Sequence, residues 1–199
     1  LFHPRRHDAA WRLEVGCATS DIVLLYAGRF APEKNLDRLA AAVDRLGAPY
    51  RLIAIGDGPR PPRGARLRVL PHESDVAALA RALASADVFV HAGNQETFGL
   101  AALEALACGT PVIARACAGL TDLIDGCSAI GVEPDDAAVF AETIAAAAPI
   151  AATFRNEARR RALEFDANHA FSQLLNRYTA LCISARSDRA EAKEERYAA

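Results

Sequence analysis

The chain has 199 residues, of which 52% are hydrophobic and 24% charged, and its formal net charge is −2 at pH 7. Such a chain forms one large domain or two small ones, and its charge gives no reason to expect nucleic acid as a partner. No uncharged apolar run reaches the ~20 residues that a membrane span requires, so we expect a cytoplasmic protein. Membrane association by other means is left open by these residues.

The five cysteines are scattered, odd in number and without a C-x-x-C pair (Cys17, Cys108, Cys117, Cys127 and Cys182). Three of them, at 108, 117 and 127, lack the nearby histidine or fourth cysteine that would complete a metal cluster. We interpret all five as small core residues or free thiols of a reducing compartment, and we expect no metal site.

The ends of the chain differ from its middle. Residues 1–20 begin without methionine and resemble a polar connector, so we expect an interdomain linker leading from an earlier part of a longer protein. A regular pattern starts at Asp21, and we expect one domain over residues 21–186, including C-terminal helices. The charged residues 187–199 are expected to fray.

In chain order, DIVLLYAG predicts a strand covered on both faces, and LDRLAAAVDRL predicts an amphipathic helix with Asn35 as its N-cap. The strands YRLIAIG and LRVL follow, then a helix over about 74–85. Next come the strand DVFVHA, a helix over 99–108, and the strand PVIA. A strand near AIGV, a helix over about 136–148 and two C-terminal helices complete the series.

Strands that alternate with helices in this way predict an α/β fold, with a parallel sheet and helices on both faces. In such sheets ligands bind at the carboxyl ends of the strands. That rule selects the four loops 28–35, 56–64, 91–99 and 114–121. The unusual polar residues of the chain fall in or beside these loops.

Glu104 is unusual because it lies in a helix of otherwise small or apolar residues, where an unpaired carboxylate is costly. The helix starts at Gly99 and Leu100, and a helix N-terminus attracts phosphate. Glu104 lies about 6 Å further along the axis, which suits hydrogen bonds to the ribose hydroxyls of a nucleotide. Pairing with an arginine such as Arg115 is the alternative, and the spacing leaves both interpretations open.

Two cations, Arg29 and Lys34, lie in the loop after the first strand and could neutralise a diphosphate. For Lys34 alone, solvated surface charge is the favoured interpretation. Gly56-Asp57-Gly58-Pro59 is a tight turn, and we favour a simple strand-to-strand connection over a dinucleotide site. Pro61 stands where the dinucleotide fingerprint needs its third glycine, which also counts against an NAD-dependent dehydrogenase.

Together these segments resemble the C-terminal, donor-binding domain of retaining glycosyltransferases of the group 1 type, similar to bacterial GDP-mannose-dependent mannosyltransferases. The resemblance rests on LFHPRR, YAGRFAPEKNLDRL, LIAIGDGP, SADVFV and ETFGLAALEALACGTPVIA. The last segment matches the family motif E-x(7)-E, with Glu96 and Glu104 as its acids. The implied fold is a Rossmann-like sheet, one half of a GT-B architecture.

The resemblance also implies roles for particular residues. Glu104 would hold the ribose, and Glu96 would face the donor sugar at the reaction centre. Catalysis would involve Glu96, Arg29 and Lys34, and the donor would be bound by Gly28, Arg29, Lys34, Phe98, Gly99, Leu100 and Glu104. Residues around Pro71 and His72 would lie near the base, although His72 by itself indicates only a loop histidine.

The implied substrate is a nucleotide diphosphate sugar of the GDP-mannose or UDP-glucose type, transferred with retention, without metal or cofactor. The implied partner is an N-terminal acceptor-binding domain that is absent from this chain, so we expect the chain to bind donor and transfer nothing alone. The alternative is a non-catalytic nucleotide-binding module of the same fold.

Three segments depart from the family pattern. Ala118-Gly119-Leu120-Thr121-Asp122 replaces Gly-Gly-x-x-Glu, and the shorter Asp122 makes a direct sugar contact by its carboxylate less favourable. His91-Ala92-Gly93 replaces a more usual Pro-Ser, and FDANHAF lacks a tryptophan often found there. The phosphate and ribose elements are all present.

Overall fold

The computed structural model of the protein describes residues 1–133 and 136–198. The chain forms two compact units, Leu1–Leu163 and Glu164–Ala199. The first unit contains the sheet and most of the helices. The second contains one long helix, α7, at Ala167–Ala198.

In the described part of the first unit the sheet has six strands, in the order β3-β2-β1-β4-β5-β6, and each pair of neighbours is parallel. They are β1 Ile22–Ala27, β2 Tyr50–Ile55, β3 Leu67–Leu70, β4 Val88–His91, β5 Val112–Arg115 and β6 Ala129–Val132. In the central strand β1, Leu24 lies opposite Leu52 of β2 and Val88 of β4. The predicted parallel α/β sheet is confirmed.

Six α-helices occur among the described residues of the same unit: α1 Ala9–Glu14, α2 Leu36–Leu46, α3 Val76–Ser85, α4 Leu100–Ala107, α5 Ala137–Ala147 and α6 Arg155–Leu163. Helices α2 and α5 pack on each other, and α4 packs against both α3 and α6. Short 3₁₀ segments occur at Pro4–Arg6, Pro32–Lys34, Ala118–Leu120 and Ala148–Phe154.

Both faces of the central strands are buried. Leu24 and Tyr26 of β1 share a core cluster with Leu39 of α2 and Phe140 of α5. The intervening side chains of β1, such as Leu25, are also fully buried. Successive side chains of a strand point to opposite faces, so this central strand is covered on both sides, as its continuous apolar sequence predicts.

The first 20 residues belong to the first unit and pack against its other helices. Trp11 of α1 is 6% exposed, and Arg81 of α3 forms ion pairs with Asp8 and Glu14. The structure therefore divides the chain after Leu163 and not at the predicted positions 20 and 186. The residues that we expected to fray, 187–198, continue helix α7.

Asn35 stands at the N-cap position of α2, as predicted, but its side chain does not cap the helix. Its backbone is left-handed, with φ 50° and ψ 37°, and its side chain makes no capping hydrogen bond. Instead its Nδ2 donates to the carbonyl oxygen of Ala92, 3.1 Å away in the loop after β4. Asn35 thus occupies the predicted N-cap position, but its left-handed backbone and its bond to Ala92 orient the side chain without the capping hydrogen bond.

One helical stretch of the described residues, Ala137–Leu163, is long and apolar enough to cross a membrane by length and composition alone, and an 18-residue window of it has a mean hydropathy of 1.6. In the structure this stretch comprises α5, a 3₁₀ segment and α6. Phe140, Ile144 and Ala151 from it belong to the core cluster. Core packing thus accounts for part of its apolar character, since 28% of its most apolar window is buried.

The turn after β2 supports the loop after β1. Phe30 donates its backbone N–H to the Asp57 carbonyl oxygen at 2.6 Å, and Gly28 donates to that of Ile55 at 3.0 Å. A Cβ atom on Gly56, whose φ is 153°, would lie 2.0 Å from the carbonyl oxygen of Gly28. The turn leads from β2 to β3, as the favoured interpretation predicts, and its glycines allow two backbones to touch.

We expect Gly56→Ala to lower the free energy of unfolding by about 3 kcal/mol or more, because a backbone clash adds to an unfavourable φ. Gly126→Ala is the matched control, since Gly126 also has a positive φ but nothing lies within 4 Å of an added Cβ. It should cost only about 1 kcal/mol. Urea unfolding of both variants measures the two free energies. An equal loss of stability in both would contradict a backbone clash between residue 56 and Gly28.

Candidate functional site

The site lies where the strand order reverses. From β1 the chain moves to β2 and β3 on one side, then returns to β4 on the other side of β1. At such a switch point the loops after the two neighbouring strands separate and leave a crevice at their carboxyl ends. In this protein the loops are those after β1 and β4.

A cavity of about 360 Å³ occupies this position. Seven of the eight predicted site residues line it: Gly28, Arg29, Lys34, Glu96, Phe98, Gly99 and Leu100. Glu104, the eighth, lies one turn further along α4, outside the set of lining residues. The roles assigned to these residues stay predictions, but the structure does bring the seven together.

The two loops are joined by hydrogen bonds as well as by the sheet. Asn94 donates its backbone N–H to the carbonyl oxygen of Glu33, at 3.0 Å. The Asn35 side chain donates to Ala92, as described above, and Lys34 Nζ lies 3.5 Å from the carbonyl oxygen of Gln95. These contacts fix the loop after β1 against the loop after β4, so the cavity has a defined wall on each side.

Lys34 and Glu96, which both line the cavity, form an ion pair between the two loops. Lys34 Nζ donates to Glu96 Oε1, and the two side chains are only 14% and 19% exposed. His91 Nε2 lies 2.9 Å from the same carboxylate oxygen. The solvated surface charge favoured for Lys34 alone is therefore not what the structure shows.

Glu96 is strongly acidic in this setting. The hydrogen bond from His91, and then that from Lys34, lower the pKa of Glu96 to about 2, although its burial acts in the opposite direction. The side chain is thus a carboxylate at neutral pH. It can accept hydrogen bonds or stabilise positive charge, but it cannot donate a proton.

The backbone of Arg29 is fixed by a hydrogen bond, whereas its side chain is largely exposed to solvent. Its carbonyl oxygen accepts a hydrogen bond from the Tyr26 hydroxyl at 3.0 Å. Its guanidinium is 66% exposed and lies 2.5 Å from Glu33, four residues along the chain. An anion in the cavity could share this exposed guanidinium with Glu33.

Helix α4 begins at the cavity. Gly99 precedes it with φ 81°, and a Cβ there would lie 2.4 Å from Leu120 Cδ2, so glycine is favoured at this position. The first N–H groups of a helix have no carbonyl partner in a preceding turn, and they carry the positive end of the helix dipole. Leu100, in this first turn, is 65% exposed. The site therefore offers an anion-binding helix end next to Arg29 and Lys34.

Glu104 has the opposite environment to Glu96. It is partly buried, and burial raises its pKa. Among the side chains that the structure describes, none makes a hydrogen bond or ion pair with its carboxylate, Arg115 included. The alternative of a structural Glu104–Arg115 pair thus has no support, and a ligand group could still satisfy this carboxylate.

Sequence reasoning missed His91 and Tyr26 as lining residues. His91 ends β4 five residues before Glu96, a position that could have been noticed, whereas Tyr26 looked like an ordinary core residue. Pro71, His72 and Asp122 are not among the lining residues. Within the part of the chain that the structure describes, no three His, Cys, Asp or Glu side chains gather as metal ligands would.

The fold and this switch-point cavity define a Rossmann-like α/β domain, and comparison with known proteins gives the family. Residues 21–148 match the family described as "Glycosyl transferases group 1". The chain belongs to this family, as its sequence motifs predict.

Two bacterial relatives match almost the whole chain. A GDP-mannose-dependent alpha-(1-6)-phosphatidylinositol dimannoside mannosyltransferase of Mycobacterium tuberculosis is 38% identical, over 93% of this chain and 51% of that protein. A D-inositol 3-phosphate glycosyltransferase of Geodermatophilus obscurus is 36% identical, over 95% and 47%. The chain thus spans about half the length of the curated relatives it matches.

Solved structures show the same fold. The Anabaena protein HepE, in complex with UDP and glucose, has a TM-score of 0.75 at 20% identity, over 90% of this chain and 55% of that one. Sucrose-phosphate synthase of Thermosynechococcus elongatus has a TM-score of 0.72 at 27% identity, over 92% and 51%. The prediction of a Rossmann-like sheet of the GT-B type is confirmed.

The lowered pKa of Glu96 should appear in the pH dependence of stability. Its folded pKa of about 2 lies below its ordinary value of 4.5, so its contribution is present above pH 4.5 and lost as the pH falls toward 2. Between pH 6 and pH 3 the protein should lose about 2 kcal/mol more than the Glu96→Gln variant. Urea unfolding at both pH values measures this, and parallel losses would contradict the lowered pKa.

Proposed function

We propose that this chain is the donor-binding half of a retaining, metal-independent glycosyltransferase that takes a hexose from a nucleotide diphosphate sugar. The observation that carries the proposal is the switch-point cavity, where two cations and the N-terminus of α4 lie beside an ionised carboxylate. These groups have the charges needed for a diphosphate with a sugar attached to it.

The diphosphate is assigned to the cationic side of the cavity. Arg29 and Lys34 supply positive charge, and the first turn of α4, from Gly99 and Leu100, supplies backbone N–H groups. As the bond between the sugar and the diphosphate breaks, negative charge accumulates on the departing phosphate. Fixed positive groups at that point lower the barrier and fill the role that a metal ion has in other enzymes.

The ribose is assigned to Glu104. This carboxylate is partly buried, its pKa is raised by burial, and it has no partner in the described residues. Two ribose hydroxyls would donate to it and compensate the cost of keeping a charge in an apolar helix. Its position, one turn beyond the anion-binding end of α4, fits a ribose attached to the diphosphate.

The hexose is assigned to Glu96. Because the pKa of Glu96 is about 2, the group acts as an acceptor for sugar hydroxyls and as a negative charge near the reaction centre. The transition state of glycosyl transfer resembles an oxocarbenium ion, whose positive charge an adjacent carboxylate stabilises. Glu96 does not supply the proton, and the resemblance to the family implies that the departing diphosphate helps deprotonate the acceptor.

GDP-mannose is the donor that the comparisons favour. The M. tuberculosis relative with 38% identity is named as GDP-mannose-dependent, and a GDP-mannose-dependent alpha-mannosyltransferase of Mycolicibacterium smegmatis is 46% identical over 51% of this chain. UDP-glucose is the alternative, since HepE has the same fold and was solved with UDP and glucose. We propose that no cofactor takes part.

We also propose that transfer needs an acceptor-binding domain that this chain does not contain. The curated relatives are about twice as long as the matched region. The chain alone should bind donor and leave acceptors unmodified. Sugar transfer by the 199 residues alone would contradict this part of the proposal.

Calorimetric titration with GDP-mannose, GDP, UDP-glucose, UDP and NADH tests the donor site. We expect one nucleotide sugar to bind, and we expect Glu104→Ala to weaken it tenfold or more, since hydrogen bonds to a charged group contribute about 1.5–3 kcal/mol. Glu142→Ala is the matched control, because Glu142 is an exposed glutamate on the separate helix α5. It should leave the affinity unchanged.

Equal affinity of the Glu104→Ala variant and the unsubstituted chain would contradict the ribose assignment. Binding of NADH in preference to every nucleotide sugar would contradict the proposed function and favour a dehydrogenase domain.

A further inference from the structure

His91 is a buried titratable residue that the proposed function leaves without a role. It ends β4, is 4% exposed, and lines the same cavity as Glu96. A Cβ on Gly93 would lie 2.5 Å from His91 Cε1, so the small residue two positions later leaves room for the ring. The imidazole therefore occupies a fitted place between the loop backbone and the cavity.

The hydrogen bonds of His91 define its tautomer. Gly93 donates its backbone N–H to Nδ1 at 3.2 Å, so Nδ1 is an acceptor. In a neutral imidazole the proton is then on Nε2, which donates to Glu96 Oε1 at 2.9 Å. The Tyr26 ring packs beside the imidazole with centroids 5.9 Å apart. Three contacts thus hold the ring in one orientation.

This arrangement uses one oxygen of Glu96 and leaves the other available. Both His91 and Lys34 donate to Oε1. Among the described residues, Oε2 has no hydrogen-bond partner, and Glu96 lines the cavity. A sugar hydroxyl entering the cavity therefore meets a carboxylate whose rotation is already restrained and whose second oxygen can accept.

Lys34 alone would not keep this restraint once a donor binds. Its ammonium group is also assigned to the diphosphate, so two anions would share it. The His91 N–H, in contrast, has Glu96 Oε1 as its acceptor, and the proposed function assigns it no contact with the diphosphate. We therefore expect the hydrogen bond between His91 and Glu96 to persist when a donor binds.

We propose that His91 is a positioning residue that holds Glu96 for recognition of the donor hexose, and not of the nucleotide. The inference rests on the proposed function and deepens it, because it assigns a specific part of the affinity to one hydrogen bond. It predicts that His91 affects how much the sugar adds to binding, measured as the ratio of the GDP and GDP-mannose dissociation constants.

The test titrates the chain with GDP-mannose and with GDP. His91→Phe keeps a ring but loses the donor, and it should weaken GDP-mannose binding about tenfold while GDP binding changes less than twofold. His91→Gln keeps an N–H donor and should restore affinity to within about threefold. His7→Phe, which changes an exposed histidine far along the chain, is the matched control and should change neither constant.

Equal weakening of GDP and GDP-mannose by His91→Phe, or no change in either, would overturn the inference while leaving the proposed function in place. Failure of the unsubstituted chain to bind either compound would contradict the proposed function, and the inference with it.

A second measurement uses the unsubstituted chain and does not depend on the stability of a variant. Long-range ¹H–¹⁵N spectra of histidine-labelled protein should show His91 as the Nε2–H tautomer, with a shift that moves on adding GDP-mannose but not GDP. The Nδ1–H tautomer, or the same shift with both compounds, would overturn the inference.

Discussion

The parallel pairing of β1 with β4 is the constraint on which the site depends. It places two loops side by side at the point where the strand order reverses, one carrying Lys34 and the other Glu96. The ion pair between these residues and the hydrogen bonds around Asn35 and Asn94 then fix the loops to each other. The turn at Gly56 supports this arrangement from the β2 side. A cavity with a defined shape results from strand order and a few polar contacts.

The two glutamates of the E-x(7)-E motif show how environment separates the roles of identical side chains. Glu96 is kept ionised by two donors, with a pKa of about 2. Glu104 is without a partner in the described residues, and burial raises its pKa. The first is preorganised by the protein, whereas the second depends on a ligand for its hydrogen bonds. This difference is the physical basis for assigning the sugar to Glu96 and the ribose to Glu104.

The sequence was informative where periodicity and strand order decide the outcome. The alternation of predicted strands with predicted helices indicated the parallel sheet. The rule that ligands bind at strand ends then predicted that residues such as Arg29 and Gly99 would lie together. The sequence was less informative where a single tertiary contact decides the role of a residue. Asn35 is a residue type favoured at an N-cap, but its side chain donates a hydrogen bond to Ala92 in the loop after β4 and makes no capping bond. His91 was noted only as a departure from the family pattern, because its role depends on the distance to Glu96, which spacing along a chain does not give.

A crystal structure of the chain with GDP-mannose would test the central claim most directly. We predict the diphosphate at the N-terminus of α4, the ribose hydroxyls on Glu104, and a mannose hydroxyl within hydrogen-bond distance of Glu96 Oε2. A nucleotide bound elsewhere on the chain, or a mannose that makes no contact with Glu96, would contradict the account.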